Sequence, residues 1–316
     1  MSHASPMEAH VRVLSIILGL LSTSALAAQP DAGPAEHHIL RDKGEVGILL
    51  VVPAWTRYTG RYDRAGKYRS VFERYSVSQY SMAGSVGIID GLQLGFGMPL
   101  VQTVVGAAGD PEKSRFGLGD TTYHVAGEAR LERIDVGATL TTKAPTGSTD
   151  QDLINPAWPL GTGQTDMDLT VHLFRNAGDL SVHGKAGFTK RFAGTLQTAT
   201  GEVDYEPGNV VHLEAGLVNW VNGQYGAGLA TMFHTEEADR QDLGSGLTAV
   251  GEGSAVVSVA ASFTLRAAEW LHLKLDTRTP GLGTGVGVVD TGAPIWGRNV
   301  RTTTFPPLMF SMLVEI

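Results

Sequence analysis

Asp166-Met167-Asp168-Leu169-Thr170-Val171-His172-Leu173 decides the fold. Apolar and polar residues alternate one for one, the period of an extended strand with one oily face and one wet face. The same pattern recurs upstream, where Ile134, Val136, Ala138 and Leu140 alternate with Asp135, Gly137, Thr139 and Thr141. It recurs downstream at Leu180, Val182, Gly184, Ala186 and Phe188 against Ser181, His183, Lys185, Gly187 and Thr189. Val211, Leu213, Ala215 and Leu217 then alternate with His212, Glu214 and Gly216. Val257 to Leu265 and Leu308 to Ile316 carry it to the end of the sequence.

Reading outward from these segments predicts about twelve strands. They lie at 44 to 58, 70 to 89, 92 to 104, 116 to 130, 134 to 144, 163 to 175, 179 to 192, 208 to 221, 224 to 235, 254 to 266, 269 to 279 and 301 to 316. Their connections alternate between tight and long. Tight ones are expected at Asp90-Gly91, Glu132-Arg133, Asn176-Ala177-Gly178, Asn222-Gly223 and Ala267-Ala268, several of them hairpin-forming pairs. The long ones span 59 to 69, 105 to 115, 145 to 162, 193 to 207, 236 to 253 and 280 to 300. Short turns at one end, long loops at the other and an even number of strands are the layout of an outer-membrane barrel, with both chain ends in the periplasm.

Composition agrees. Of 316 residues 42% are hydrophobic, 18% are charged and 40 are glycine, which favours strands and turns over helices. The formal net charge of −8 argues against a nucleic-acid partner, which calls for a basic surface. There is no cysteine, so neither a disulfide framework nor a thiolate metal site is available. Near the N-terminus, Val13 to Leu21 is an apolar run followed by Ala25-Leu26-Ala27-Ala28. It is shorter than the roughly 20 residues of a spanning helix and has the form of a secretory signal peptide. Residues 1–28 are therefore read as the signal, 29–43 as a periplasmic tail or a plug, and 44–316 as a transmembrane, up-and-down antiparallel β-barrel.

Alternation alone does not say whether the oily face points in or out. A soluble β-sandwich lacks this strict rhythm of neighbouring hairpins. A soluble barrel of this strand number would have to fill an interior wider than that of the eight-stranded kind. Aromatic residues near the strand ends, Trp55, Tyr58, Tyr123, Phe192, Trp220, Tyr225, Trp270 and Phe305, suit an interfacial girdle.

Three short motifs carry a resemblance. Phe116-Gly117-Leu118-Gly119-Asp120 opens a strand, Lys143-Ala144-Pro145-Thr146-Gly147 closes the next, and Leu160-Gly161-Thr162-Gly163-Gln164-Thr165-Asp166 leads into another. Over residues 110 to 235 the chain resembles the outer-membrane proteins grouped with the meta-pathway of phenol degradation. That resemblance implies a channel or porter for passive uptake of small hydrophobic or aromatic compounds, with outer-membrane lipid as its surroundings. The motifs also have a purely structural reading, since proline and glycine suit strand exits and Asp120 and Asp166 can anchor a loop.

On the wet faces, Asp166, Asp168, His172, His183, Lys185, His212, Glu214, His272 and Lys274 are the expected lumen-lining, solute-contacting residues. A turn at Ala177-Gly178 places His172 opposite His183 and Lys185 diagonal to Asp168. Charges of both signs suggest a water-bearing or partly plugged interior rather than a strongly ion-selective pore. Two facing imidazoles without a third ligand make a weak metal site, so no metal or cofactor is expected. The rival readings are an outer-membrane enzyme of the phospholipase type and a structural barrel without transport. The sequence from 29 to 316 holds no G-x-S-x-G, H-E-x-x-H, P-loop or G-x-G-x-x-G motif, and enzymatic activity is not expected. Oligomeric state is not legible, because lipid-facing and subunit-facing oily surfaces look alike.

Overall fold

The computed structural model describes the backbone of residues 43–44, 46–62, 68–106, 113–131, 134–148, 160–198, 201–238, 240–242, 248–250, 253–268, 271–278, 282–284 and 308–315. Twelve long strands form the body: β1 (Val46–Tyr62), β2 (Tyr68–Ile89), β3 (Leu92–Gly106), β4 (Thr121–Leu131), β5 (Ile134–Ala144) and β6 (Asp166–Ala177). The second half comprises β7 (Leu180–Arg191), β8 (Val210–Val221), β9 (Tyr225–Glu236), β10 (Ser254–Ala268), β11 (Leu271–Arg278) and β12 (Leu308–Glu315). Each is antiparallel to its neighbours in the chain, and β12 pairs with β1 from Gly47↔Glu315 to Val52↔Phe310. The sheet therefore closes into a ring, and no strand of the body is left with an open edge.

Exposure settles which way the faces point. Among the described side chains of β6, Asp166 and Asp168 are buried while Leu169 is 53% and Leu173 51% exposed. On β10, Thr264 is 1% and Ser258 3% exposed, whereas Val259 and Phe263 are open. The polar face lines the interior and the apolar face is the outer surface. Water cannot solvate such an exterior cheaply, and a bilayer can. A closed barrel is the sheet that satisfies its backbone there. The protein is an outer-membrane β-barrel.

The expected rhythm of connections is present, with tight turns at one end and long connections at the other. Three turns differ from the sequence reading. The β6–β7 turn is Gly178-Asp179, with Ala177 paired to Leu180 and Gly178 at φ +67°, a conformation that glycine adopts without steric cost. Ala267-Ala268 belongs to β10, and Ala268 pairs with Leu271, so that connection falls at 269–270. The β8–β9 turn takes in Gln224 as well as Asn222-Gly223, with Val221 paired to Tyr225; Asn222 and Gly223 have positive φ, and the Gln224 N–H donates to the Val221 carbonyl at 3.2 Å.

Several of the long connections are more ordered than expected, and in that before β12 Leu282–Thr284 pairs with β10. Gly194–Thr198, Gly201–Glu206, Arg240–Asp242 and Thr248–Val250 form a separate four-stranded sheet that joins the β7–β8 and β9–β10 connections. Ahead of β4, Lys113–Leu118 pairs with β3. Leu100 faces Leu118 and Gly97 faces Thr122, so three residues of one strand oppose two of the other. This is a β-bulge at Gly119-Asp120, opposite Pro99. Pro99 has no N–H to give to the ladder, and its carbonyl accepts the Gly119 N–H at 2.8 Å.

Tyr123, Phe192 and Tyr225 are exposed, as a girdle requires. Trp220 is not part of it. Its ring lies on the inward face of β8 in register with Gly226, under the Arg266 guanidinium at 4.4 Å. Trp270 and Phe305 lie outside the described residues, as do residues 1–42.

Candidate functional site

The bulge at Gly119-Asp120 turns the Asp120 carboxylate into a clamp. It accepts the Gly147 N–H at 3.0 Å, the Thr162 N–H at 2.7 Å and the Thr162 hydroxyl at 2.7 Å. Thr146 Oγ1 reinforces the join, accepting the Thr121 N–H at 2.9 Å and donating to the Gly119 carbonyl at 3.0 Å. Gly161 is required by close approach. A Cβ there would stand 2.5 Å from Asp120 Oδ1 and 2.7 Å from the Gly147 Cα. Just below, Lys143 forms an ion pair with Asp166, and Gln164 Nε2 donates to Asp166 at 3.0 Å. The three motifs of the sequence thus converge on one node, which closes both ends of the β5–β6 connection and supports their structural reading.

Deeper in the barrel, three carboxylates on the inward wall of β4 to β8 are each met by a histidine. His172 on β6 reaches Glu128 on β4 at 3.2 Å. His212 on β8 reaches Asp168 on β6 at 2.9 Å. His183 on β7 meets Glu214 on β8 at 2.8 Å, and Lys185 stands 4.0 Å from the same carboxylate. Asp168 also accepts the hydroxyls of Thr170 at 2.6 Å and Thr189 at 2.7 Å.

Glycine makes these reaches possible. Gly137 lies in register with His172, Gly187 with His212 and Gly216 with His183. In each case a Cβ on the glycine would overlap the imidazole. Gly95 stands in the same relation to His124 on β4. An imidazole laid flat over the missing side chain can cross an entire strand, which is how His172 and His212 find acids two strands away. The sequence carries a signal for these pairs, a glycine at a wet-face position opposite a histidine.

Of the nine expected lumen residues, the eight with described side chains all face inward and all are paired. His172 does not face His183: the β6–β7 register sets His172 against Lys185 and His183 against Phe174. Nor is Lys185 diagonal to Asp168, which pairs in register with Thr189. The cause is the turn at Gly178-Asp179. Moving the turn centre by one residue changes each partner by two, so the faces are conserved and the pairs are not. Lys274 pairs with Asp276 on its own strand at 3.1 Å. His272 sits in register with Arg266 and Leu313, and its side chain lies outside the described set. Sequence reasoning missed Glu128, Asp276, and Arg191 with its ion-pair partner Glu236. Among the described residues no group of three or more histidine or acidic side chains is arranged to hold a metal ion.

Among the described residues the wall is therefore polar, with long side chains tied laterally to one another along the sheet. A solved outer membrane channel from Pseudomonas putida F1 superposes on it with a TM-score of 0.66 at 13% identity, covering 88% of this chain and 97% of that one. This chain has the fold of that channel. The TodX monoaromatic hydrocarbon channel matches over 94% of this chain and 97% of that one at 9% identity, with a TM-score of 0.47. The NanC porin matches over 85% and 100% at 10% identity, with a TM-score of 0.45. No protein-family model and no curated protein sequence matches the chain. Membership of the phenol-degradation group, expected from the motifs, is thus not shown by these comparisons.

Proposed function

We propose that this barrel is a channel or porter for passive entry of small hydrophobic or aromatic molecules across the outer membrane. The observation that carries the reading is the inverted cross-section: an apolar exterior enclosing a polar inner wall. Such a wall holds water and gives a small solute a path that the bilayer does not. Asp166, Asp168, His172, His183, Lys185, His212, Glu214, His272 and Lys274 are the residues along which solute descends. The resemblance of residues 110 to 235 to the phenol-degradation group supports the aromatic preference. The loops expected to capture solute, 145 to 162 and 280 to 300, lie largely outside the described residues.

A phospholipase-type reading would place histidine on the lipid-facing side. His124, His172, His183 and His212 all lie on inward faces beside their cross-strand glycines.

The test begins with the purified protein in liposomes. A faster-migrating unboiled band establishes the folded barrel, and influx of a neutral aromatic solute is then compared with that in empty liposomes. Faster influx through the folded protein is the expected result. Equal influx with and without it refutes the porter, leaving a structural barrel.

A further inference from the structure

One arc of the inner wall is built differently from the charged strip. On β2, β3 and β4 the inward positions run in register: Ala83, Gly97 and Thr122 in one row, Ser85, Gly95 and His124 in the next, and Gly87, Gln93 and Ala126 in the third. None of these nine is an acid, a lysine or an arginine. Charge resumes with Lys143, in register with Thr122 and paired with Asp166, and with Glu128, paired with His172. The arc is also poor in side chain. Ala83 is 0% and Ala126 4% exposed, and Gly87 and Gly97 are buried.

Two polar side chains aimed into this arc leave an oxygen unpaired. Gln93 and Thr122 are each 3% exposed, and neither Gln93 Oε1 nor Thr122 Oγ1 has a hydrogen-bond partner. Buried polar groups are nearly always paired, and a covered acceptor without a donor is a cost to the fold. We propose that Gln93 and Thr122 are successive binding stations for the hydroxyl group of a small uncharged solute; the inference rests on the barrel being a channel. Both oxygens are closed off from water in the structure, so their bonding capacity is unspent until a solute moves in over them.

Their placement makes them a sequence of two. Thr122 stands at the start of β4 beside the Asp120 clamp, toward the long connections, and Gln93 lies near the tight turn between β2 and β3. The stretch of β3 from Gly97, opposite Thr122, to Gln93 is about 13 Å of strand, so a molecule of one aromatic ring meets the two in turn. Between them the His124 ring lies over Gly95. The carboxamide oxygen of Gln93 only accepts, and the Thr122 hydroxyl both donates and accepts; a solute hydroxyl answers either. Turning the carboxamide over presents its amide N–H groups, which a hydroxyl oxygen also accepts. Ala83, Gly97 and Ala126 make no polar demand on the hydrocarbon part. A pure hydrocarbon leaves both oxygens unpaired, and an ion finds no opposite charge on the arc to offset its lost hydration.

Planar-bilayer recordings test the proposal through the block that a solute held in the lumen imposes on the ion current. Benzyl alcohol and toluene differ by one hydroxyl group, and benzoate adds a charge; each is titrated into the same potassium chloride solution. Benzyl alcohol should block the wild-type barrel at a several-fold lower concentration than toluene or benzoate. A double variant with Thr122→Val and Gln93→Met keeps side-chain size and should lose that preference, and each single variant should lose part of it. The folded state of every variant is checked by its gel shift. A conducting wild-type barrel blocked equally by the alcohol and the hydrocarbon, or best by benzoate, overturns the inference alone, as does a folded variant, double or single, that keeps the full preference. Silence of the wild-type protein in the bilayer overturns the channel, and the inference with it.

Discussion

Replacing Asp120 by alanine removes the acceptor of three hydrogen bonds at a buried site. The Thr162 hydroxyl can turn toward another partner, the Gln164 carbonyl being 3.5 Å away. The backbone N–H groups of Gly147 and Thr162 cannot, because the tight approach of Gly147 to Gly161 fixes them. A buried donor left without a partner costs about 1 to 3 kcal/mol, so Asp120→Ala should lose about 2 to 6 kcal/mol. Asp120→Asn keeps one acceptor oxygen but turns an amide toward a donor, and should lose roughly half as much. The loss belongs to the node joining Ala144 to Asp166 and not to the ring of strands. The assay is therefore double: guanidinium unfolding of the protein in vesicles followed by tryptophan fluorescence, and protease cleavage between β5 and β6. Both variants should be cut faster there than wild type while retaining the gel shift of a closed barrel. An Asp120→Ala protein within about 0.5 kcal/mol of wild type and cut no faster would refute the clamp.

Two further predictions test the inner and outer walls. Gly187→Ala places a methyl group against the His212 ring and 2.6 Å from Thr170 Oγ1. It should cost about 1.5 to 3 kcal/mol by displacing a hydrogen bond to a carboxylate. Gly184→Ala, whose Cβ would meet nothing nearer than 3.8 Å, should be close to neutral, and equal unfolding midpoints for the two would contradict the glycine argument. Val171→Arg puts a charge on the lipid-facing side at the middle of β6, where it should cost about 2 to 4 kcal/mol. A folded fraction in vesicles no lower than that of wild type would show that this face does not meet lipid.

The ring itself was legible because its two signals are local and redundant. Strand alternation fixes which residues share a face, and the order of tight and long connections fixes up-and-down neighbours. Strands such as Ile134–Ala144 fall where alternation places them. Register is a finer property. Asn176-Ala177-Gly178 contains plausible turn residues at more than one offset, and only the positive φ of Gly178 selects the central pair. Since a shift of the turn keeps every face, the eight described wall residues were legible as a set while their partners were not. Partners such as Glu128 for His172 lie 44 positions apart in sequence and two strands apart in space, beyond the reach of a cross-strand rule. The sheet built from 194 to 250 escaped because its segments are short and only half of them alternate.

The pairing of β12 with β1 has a consequence for biogenesis. Leu308–Glu315 is flanked by β1 on one side and β11 on the other, so it is the last piece of the ring to be synthesised and the only one that can seal it. A nascent chain that has made eleven strands owns two unsatisfied borders and no stable place in either water or lipid. Membrane insertion must then be close to all-or-none, and a chain lacking Leu308–Glu315 should be a substrate for periplasmic proteases rather than a smaller barrel.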